Sequence, residues 1–335
     1  MKELELIEQI RRNFGPPRKR TVALGIGDDC AVLRPPSGSE VLVTTDFTLE
    51  GRHFRRDLHS PESVGHRCLA RGLSDLAAMG ATPMAAFLSL ALPSEIVAQV
   101  IGRAWISHFF KGLRTLADHH QVTLAGGDTA ESPDNSILAD IVLLGSAPIG
   151  RSLRRSGAKA GDALYVTGSL GGSAAELSAM MGGRTRTRKA ASPADHPQMF
   201  PQPRIAVGQA LLRRKLATVC MDISDGLSTD LAHLCRASGV AAEVEQSAIP
   251  LHPLACKSGE EAALHFALHG GEDYELLFAA PASTRMPRQL AGIPITRIGQ
   301  FTRPRPEQPL MTLLLPSGVR SPLKPRGWEH FSGNR

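Results

Sequence analysis

The sequence predicts an α/β protein with two domains, and two observations support this. From about residue 20, short aliphatic or β-branched runs such as TVAL and EVLVTTD alternate with longer amphipathic stretches such as PESVGHRCLARGLSDLAAMG, a pattern typical of sheets with flanking helices. The chain has 335 residues, of which 42% are hydrophobic, so it is longer than a typical single domain and can bury more than one core. A basic, glycine-punctuated segment, GRSLRRSGAKAGD, separates two such series near residue 150. We therefore predict domains at residues 1–150 and 151–335.

Composition argues against several classes of protein. No run of about 18 apolar residues is present, and the first residues, MKELELIEQIRRNF, alternate charged with aliphatic side chains instead of forming a signal peptide. The five cysteines contain no CxxC pair, which argues against a zinc knuckle or a disulfide framework. We expect a soluble, cytoplasmic protein with no membrane partner, whose cysteines are reduced and mostly buried.

Basic residues outnumber acidic ones, 38 to 32, for a net charge of +6. Such a balance suits a nucleic acid or, equally, a phosphorylated small substrate. The densest basic run, residues 182–204, is rich in glycine and proline and holds one aromatic residue, Phe200. Because single-stranded nucleic acids are bound by stacking on aromatic side chains, we interpret this run as an exposed, solvated loop and expect no nucleic-acid partner.

Acidic side chains recur where apolar runs end. Asp29 follows two glycines in GIGDDCAVL, and Thr44, Thr45 and Asp46 close the run VLVTTD. Asp128 follows the glycines of TLAGGDT. Each could simply stabilise a turn through backbone amides, but hydroxyl and carboxylate oxygens are also the ligands that Mg²⁺ prefers.

Two further segments carry acids in unusual positions. In the predicted helix ESVGHRCLARGLSDLAAM, the apolar positions put Asp75 on the buried side, where it needs a metal or a distant arginine as its partner. Asp222 and Asp225 flank Ser224 in CMDISDGL, just before another predicted helix. A single side-chain oxygen suffices to cap that helix. Three oxygen-bearing side chains within four residues are more than a cap requires.

Six acids therefore form a set, and all except Asp75 are predicted at strand ends or turns, the edge at which open α/β sheets bind ligands. The set is Asp29, Asp46, Asp75, Asp128, Asp222 and Asp225. Carboxylates without histidine or cysteine favour Mg²⁺ over zinc, and Mg²⁺ usually accompanies phosphates. Counter-charge is offered by Arg154, Arg155 and Lys159. The glycines of TGSLGGSAAE lead into a helix N-terminus, which either binds an anion or is only the turn that begins a helix.

Nine motifs occur in one order over nearly the whole chain: GIGDDCAVL, TTDFTLEGRHF, LSDLAAMGATP, GGDT, RSGAKAGD, TGSLGGSAAEL, DISDGL, GGEDYELLF and GWEHF. This ordered set resembles the thiamine-monophosphate kinase family, whereas the wider superfamily that includes aminoimidazole ribonucleotide synthetase shares only part of it. The resemblance implies two α/β domains with mixed sheets and flanking helices. The N-terminal domain would bind metal and ATP and pair with a second copy across a homodimer interface, and the C-terminal domain would complete the nucleotide and substrate site.

The resemblance also implies ATP-dependent phosphorylation of thiamine monophosphate to thiamine diphosphate, the last step of thiamine diphosphate biosynthesis, with several Mg²⁺ ions per site. The implied metal ligands are Asp29, Thr44, Thr45, Asp46, Asp75, Asp128, Asp222 and Asp225. The implied nucleotide contacts are Phe110, Gly127, Asp128, Arg155 and Ser224. His53, Glu272 and Trp328 match positions that hold the thiamine phosphate.

Transfer between two anions needs positioning and charge stabilisation, and the acceptor oxygen is already ionised, so no Ser, Cys or His nucleophile is expected. Phe110 stands where the family often has tyrosine, so ring stacking could persist without a hydroxyl contact. Two other interpretations stay open at this point. One is a different ATP-using enzyme of the superfamily, and the other is a binding protein without turnover.

Overall fold

A computed structural model describes residues 3–15, 20–183 and 195–329. The chain forms two compact units: the first comprises Met1–Leu76 and Ala81–Arg151, and the second comprises Ala77–Gly80 and Ser152–Arg335. Both contain mixed sheets with flanking helices, which confirms the predicted α/β class. No helix in the described part of the chain is both long enough and apolar enough for a membrane crossing.

The first unit is built on a four-stranded sheet with strand order β3-β6-β4-β5. Its elements are α1 (Glu3–Phe14), β1 (Val22–Leu24), β2 (Val32–Leu33), β3 (Ser39–Leu49), α2 (Pro61–Ala78), β4 (Thr82–Leu92), α3 (Ser94–Ala98), α4 (Val100–His120), β5 (Thr123–Glu131) and β6 (Leu138–Pro148). Strands β4 and β5 are parallel, and β6 is antiparallel to both β3 and β4. A separate antiparallel pair, β1 and β2, encloses the GIGDDC turn.

Helices α2 and α4 pack so closely that two glycines are required. A Cβ on Gly65 would lie 1.9 Å from the carbonyl oxygen of Phe109, and a Cβ on Gly112 would lie 1.9 Å from that of Glu62. The buried side of α2 carries Leu69 and Leu73, so the predicted amphipathic helix is present. Its orientation turns Asp75 toward β3.

The second unit is built on a larger sheet with strand order β14-β13-β9-β12-β7-β10-β8, and β11 pairs with β12. Its elements are β7 (Ala163–Thr167), α5 (Gly172–Met181), α6 (Ile205–Arg213), β8 (Val219–Asp222), α7 (Leu227–Ser238), β9 (Ala241–Glu245), α8 (Pro253–Cys256), α9 (Glu260–His269), β10 (Leu276–Ala280), β11 (Gln289–Leu290), β12 (Ile293–Thr302), β13 (Met311–Leu314) and β14 (Arg320–Pro322). Only the pair β9 and β13 is parallel among these described strands. The central strands β7 and β10 are buried along their whole length.

Gln99 is extended (φ −84°, ψ 149°) and separates α3 from α4. One sequence-based interpretation is wrong. The basic run 182–204 is not a solvated loop over its last part: Gln198 and Met199 are 1% and 7% exposed. Residues 184–194 of that run lie outside the described part.

Candidate functional site

A cavity of about 640 Å³ in the first unit brings together four of the predicted site residues. Asp29, Phe110, Gly127 and Asp128 all line it. The remainder of the wall is largely apolar and includes Ile7 and Ile10 of α1, Phe87, Leu88, Leu90 and Leu124. The cavity therefore joins an apolar interior to acidic side chains, an arrangement that suits a ligand with an apolar ring and an anionic end accompanied by cations.

Asp128 does not end its strand, contrary to the prediction of a turn. Strand β5 continues to Glu131, and Asp128 pairs with Ser89 of β4. The register between the parallel strands shifts at Ala125, and the two glycines that follow pair with Phe87 and Leu88 of β4 instead of forming a turn. Gly127 has φ +150°, and a Cβ there would lie 1.9 Å from the carbonyl oxygen of Leu88. Close backbone approach thus explains the glycine, and it leaves the Asp128 residue exposed at the cavity.

Thr44, Thr45 and Asp46 lie inside β3, not at its end. Because side chains alternate along a strand, Thr45 points away from the other two. The Thr45 hydroxyl donates to Asp140 Oδ1 at 2.8 Å, whereas the Thr44 hydroxyl donates to Asp75. The three oxygen groups therefore do not converge on one point through their side chains.

The inward-facing Asp75 accepts a hydrogen bond from the Thr44 hydroxyl, whereas the sequence predicts a metal or a distant arginine as its partner. Arg71, one helical turn before Asp75, places its Nε 3.7 Å from Asp46 Oδ1. Both side chains of this ion pair are largely shielded from solvent, with 17% of Arg71 and 23% of Asp46 exposed. Arg71 was missed, although its position four residues before an inward-facing acid was a signal that could have found it.

His53 lies in the turn after β3. Its Nδ1 accepts a hydrogen bond from the backbone N–H of Leu49 at 2.9 Å, and its carbonyl oxygen accepts one from Arg67 Nη2 at 2.8 Å. Arg67 is 2% exposed, so a buried guanidinium holds the backbone of this turn. The imidazole conformation is consequently tied to the local backbone.

In the second unit, the DISDG turn is held by a carboxylate that the sequence analysis missed. The backbone N–H groups of Ser224, Asp225 and Gly226 each donate to Asp230 Oδ2 at 3.1 Å. Asp230 is buried, and burial together with the charges of Asp222 and Asp225 raises the pKa of its carboxyl well above the usual range. Because Asp230 satisfies these amides, neither Asp222 nor Asp225 serves as the cap of α7.

Three motif loops are joined around this turn by backbone hydrogen bonds. The N–H of Glu272 donates to Ser224 O at 2.8 Å, that of Tyr274 donates to Ile223 O at 2.9 Å, and that of Trp328 donates to Asp225 O at 3.0 Å. DISDG, GGEDYE and GW therefore form one cluster, which contains Asp222, Ser224, Asp225, Glu272 and Trp328. The Trp328 residue is 48% exposed.

The N-terminus of α5, considered above as an anion site, already holds the chain's own Asp273. The N–H of Gly171 donates to Asp273 Oδ2 at 2.7 Å, and that of Ser173 donates to Oδ1 at 3.2 Å. Burial raises the pKa of Asp273 to about 7, although these two donors act in the opposite direction. The glycine-rich turn is thus used to begin a helix and to hold GGEDYE.

The proposed counter-charges are exposed residues of the second unit: Arg154, Arg155 and Lys159. The backbone of Arg155 is anchored because its carbonyl oxygen accepts from Ser238 Oγ at 3.0 Å. A partly buried ion pair that sequence reasoning missed joins Arg204 Nε to Glu275 Oε2 at 2.7 Å. Arg204 belongs to the run that had been interpreted as solvated.

Within the described ranges, no three acidic, histidine or cysteine side chains converge closely enough to hold a metal ion by themselves. The donors nevertheless fit Mg²⁺ in their chemistry, because they are carboxylate and hydroxyl oxygens. Proteins usually bind this ion through one or two carboxylates together with phosphate oxygens and water, not through an all-protein cage.

The two parts of the chain match the two domains of the AIR synthase related proteins. The family model of their N-terminal domain matches residues 27–147, and that of their C-terminal domain matches residues 159–305. Thiamine-monophosphate kinase of Escherichia coli K12 is 41% identical over 289 residues, which are 84% of this chain and 85% of that protein. The chain belongs to the thiamine-monophosphate kinase family.

Solved structures agree with this assignment. Thiamine-monophosphate kinase from Stenotrophomonas maltophilia K279a has a TM-score of 0.79 and 32% identity, with 96% of this chain and 98% of that chain covered. AaThiL, described as complexed with AMPPCP and TMP, has a TM-score of 0.73 and 29% identity, with 98% and 97% covered. The enzyme class predicted from the motifs, a thiamine-phosphate kinase, is confirmed.

Proposed function

We propose that this chain transfers the γ-phosphoryl group of ATP directly to thiamine monophosphate, in line and with the assistance of several Mg²⁺ ions. The observation that carries the proposal is the cavity in which Asp29, Gly127 and Asp128 adjoin an apolar wall. The relative that is 29% identical and complexed with AMPPCP and TMP supports both substrates.

The cavity of the first unit is the proposed nucleotide site. Its volume of about 640 Å³ is within the usual range for small-molecule sites. The aliphatic side chains of α1 and β4, with Phe110, would contact the adenine ring. Phe110 is 3% exposed and packs edge-to-face on Phe14, so its ring contributes shape and not a polar contact. Arg155 and Ser224 remain proposed phosphate contacts.

The acids Asp29, Asp46, Asp75, Asp128, Asp222 and Asp225 are the proposed Mg²⁺ ligands, with the hydroxyl of Thr44. Thr45 stays a proposed ligand apart from this group, because its hydroxyl lies on the other side of β3 and donates to Asp140. When bound, Mg²⁺ neutralises the phosphate oxygens and the charge that develops during transfer. Asp75 accepts from the Thr44 hydroxyl, and Asp46 lies beside Arg71. The Thr44 contact holds the Asp75 carboxylate in place, so that little side-chain freedom of Asp75 remains to be lost when a cation binds.

Glu272 and Trp328 of the second-unit cluster are proposed contacts of thiamine monophosphate, and His53 is a further proposed contact. Trp328 offers an aromatic face to the thiazolium cation or the pyrimidine. Glu272 offers a carboxylate from a backbone conformation with φ +67°. Such a conformation is uncommon for a residue other than glycine. It sets the direction in which the side chain of Glu272 leaves the backbone.

No covalent enzyme intermediate is required. Burial raises the pKa of the Cys68 and Cys235 thiols to about 12 and raises the pKa of Cys220 further, so these groups stay protonated and unreactive. The acceptor phosphate is already ionised. The chain's contribution is therefore to orient two anions and to hold the cations between them.

We also propose a homodimer formed through the first unit. Val41, Val43 and Phe47 lie on one side of the edge strand β3 and are 43%, 64% and 61% exposed. A second copy is the proposed occupant, because a self-complementary apolar sheet face buries itself in a two-fold pair. Phe47→Glu should convert the dimer to monomer in analytical ultracentrifugation. An unchanged mass would contradict this interface.

The direct test is an assay with ATP, Mg²⁺ and thiamine monophosphate. We expect ADP and thiamine diphosphate in equal amounts. ADP without thiamine diphosphate would indicate another ATP-using enzyme of the superfamily, and binding without either product would indicate a carrier. We also propose a cytoplasmic location for the protein, which this assay does not test.

A further inference from the structure

We propose that Gln198 is a positioning residue for the thiamine-phosphate site, because its side-chain amide sets the direction of the Glu272 carboxylate. The inference rests on the substrate role proposed for Glu272. Gln198 precedes α6 in the run 195–204, and it is 1% exposed. A buried amide must be hydrogen-bonded to be tolerated, and the partners of this one form a chain that leads to Glu272.

The orientation of the amide is set by its two side-chain partners, Ser173 and Glu272. The Ser173 hydroxyl donates to Gln198 Oε1, which identifies the opposite end of the amide as the donor. That donor, Nε2, lies 3.2 Å from Glu272 Oε2. A glutamine amide has one acceptor and one donor end, a hydroxyl can donate or accept, and a carboxylate only accepts. The Glu272 carboxylate therefore requires the N–H end of the amide, and the Ser173 hydroxyl donates to the other end.

The backbone of Gln198 is held from the same helix. Its N–H donates to Glu176 Oε2 at 2.7 Å, and the other oxygen of Glu176 contacts His196 Nδ1. Ser173 and Glu176 are three residues apart on α5 and therefore share one face. Helix α5 thus fixes both the main chain and the side chain of Gln198.

Helix α5 also holds the residue next to Glu272. Its first turn binds Asp273 through two backbone N–H groups, while the N–H of Glu272 is bound to Ser224 O. The main chain of GGEDYE is thereby fixed on both sides. The remaining freedom of Glu272 is that of its side-chain torsions, and Gln198 restricts these by holding one carboxylate oxygen.

The restriction of Glu272 by Gln198 should affect the binding of the acceptor substrate, thiamine monophosphate, and not the binding of ATP. Thiamine carries a cationic ring and an amino group, both of which a carboxylate can bind if it points in one direction. Holding one Glu272 oxygen in advance lowers the ordering cost on binding. The nucleotide cavity contains neither Gln198 nor Glu272, so loss of the amide should not alter it.

The test compares Michaelis constants for the two substrates. Gln198→Met keeps the length of the side chain but removes the donor, and Gln198→Glu replaces the donor by a second carboxylate facing Glu272. We expect the KM for thiamine monophosphate to rise about tenfold in the first variant and further in the second, with the KM for ATP changed less than about twofold. Gln202→Met is the matched control, since its amide donates to Phe200 O at 2.9 Å outside this network.

Parallel increases in both constants with a lowered thermal midpoint would overturn the inference, because they would show a purely structural role. If Glu272→Gln raises the KM for thiamine monophosphate but Gln198→Met does not, Gln198 is not a positioning residue and the proposed function stands. If Glu272→Gln has no effect, the proposed role of Glu272 fails and the inference fails with it. Should Gln198→Met not fold, Gln198→Asn, which is one methylene too short, provides the same comparison.

Discussion

At the scale of single residues, the two units differ in how they hold their acids. In the second unit, Asp230 accepts three backbone N–H groups, so Asp222 and Asp225 are not needed to stabilise the turn. In the first unit, Asp46 and Asp75 contact Arg71 and Thr44. A cation that binds Asp46 must therefore approach a guanidinium, and like charges at short range oppose one another.

Arg71→Met should lower the concentration of Mg²⁺ that half-saturates the enzyme, because a competing positive charge is removed. We expect a decrease of about threefold to tenfold, which corresponds to roughly 0.7–1.4 kcal/mol. Calorimetric titration of Mn²⁺ into the protein provides a readout that does not depend on turnover. Arg103→Met, at an exposed site on α4, is the control. A higher Mg²⁺ requirement in Arg71→Met would show instead that Arg71 positions Asp46 for the metal.

At the scale of secondary-structure elements, the class of most segments could be predicted but the ends of the acid-bearing strands could not. The run VLVTTDFTL keeps its alternation beyond Asp46, with Thr44, Asp46 and Thr48 on one side of β3 and Phe47 on the other. The polar residues after VLV indicate a strand end when the sequence is considered alone. What extends β3 is its pairing with β6 through Leu49 and Leu138, a long-range contact that local patterns do not contain.

The same limit applies to the contacts of the site. Asp128, Asp222, Asp225 and Glu272 were identified from their motifs. Two residues that hold the GGEDYE loop were not: Gln198, which donates to Glu272, and Arg204, which pairs with Glu275, lie in a basic, proline-rich run whose composition indicates solvent exposure. Their burial depends on partners in α5 and GGEDYE that are distant in sequence.

Gly127→Ala should destabilise the first unit strongly, because the new Cβ would meet the Leu88 carbonyl oxygen at 1.9 Å. We expect a loss of about 2–4 kcal/mol in the free energy of unfolding, measured by urea denaturation. Gly126→Ala is the matched control: its Cβ would lie 2.9 Å from the Phe87 ring, which is a side chain that can move. Equal losses in the two variants would argue against a backbone constraint specific to Gly127.

The carboxyl group of Asp273, which is bound at the N-terminus of α5, should make the free energy of unfolding depend on pH. Its pKa is raised to about 7 in the folded protein, against about 3.9 in an unfolded chain. The folded state therefore holds this proton more tightly, so the stabilising contribution is complete below about pH 4 and is lost as the pH rises through 7. Asp273→Asn, which mimics the protonated form, should gain stability relative to wild type between pH 4 and 7. Urea unfolding across that range measures the difference, and a relative gain by wild type would contradict the assignment.

At the scale of the whole molecule, the chain divides its proposed chemistry between two units. The first carries the cavity with Asp29 and Asp128, and the second carries the joined loops DISDG, GGEDYE and GW. Each unit has its own sheet and its own buried contacts that hold acids in place. The central claim is that these acids act through Mg²⁺ on phosphate groups and are not structural turns.

Asp128→Asn tests this claim most directly, because it removes one charge with almost no change in volume at an exposed position of the cavity. Turnover and the thermal midpoint should be measured over the same Mg²⁺ series. We expect a midpoint within about 1–2 °C of wild type and turnover lower by at least about a hundredfold, or roughly 2.7 kcal/mol, with partial recovery at raised Mg²⁺ because an amide oxygen is a weaker ligand. Wild-type turnover at low Mg²⁺ would contradict the account by removing Asp128 from the metal site.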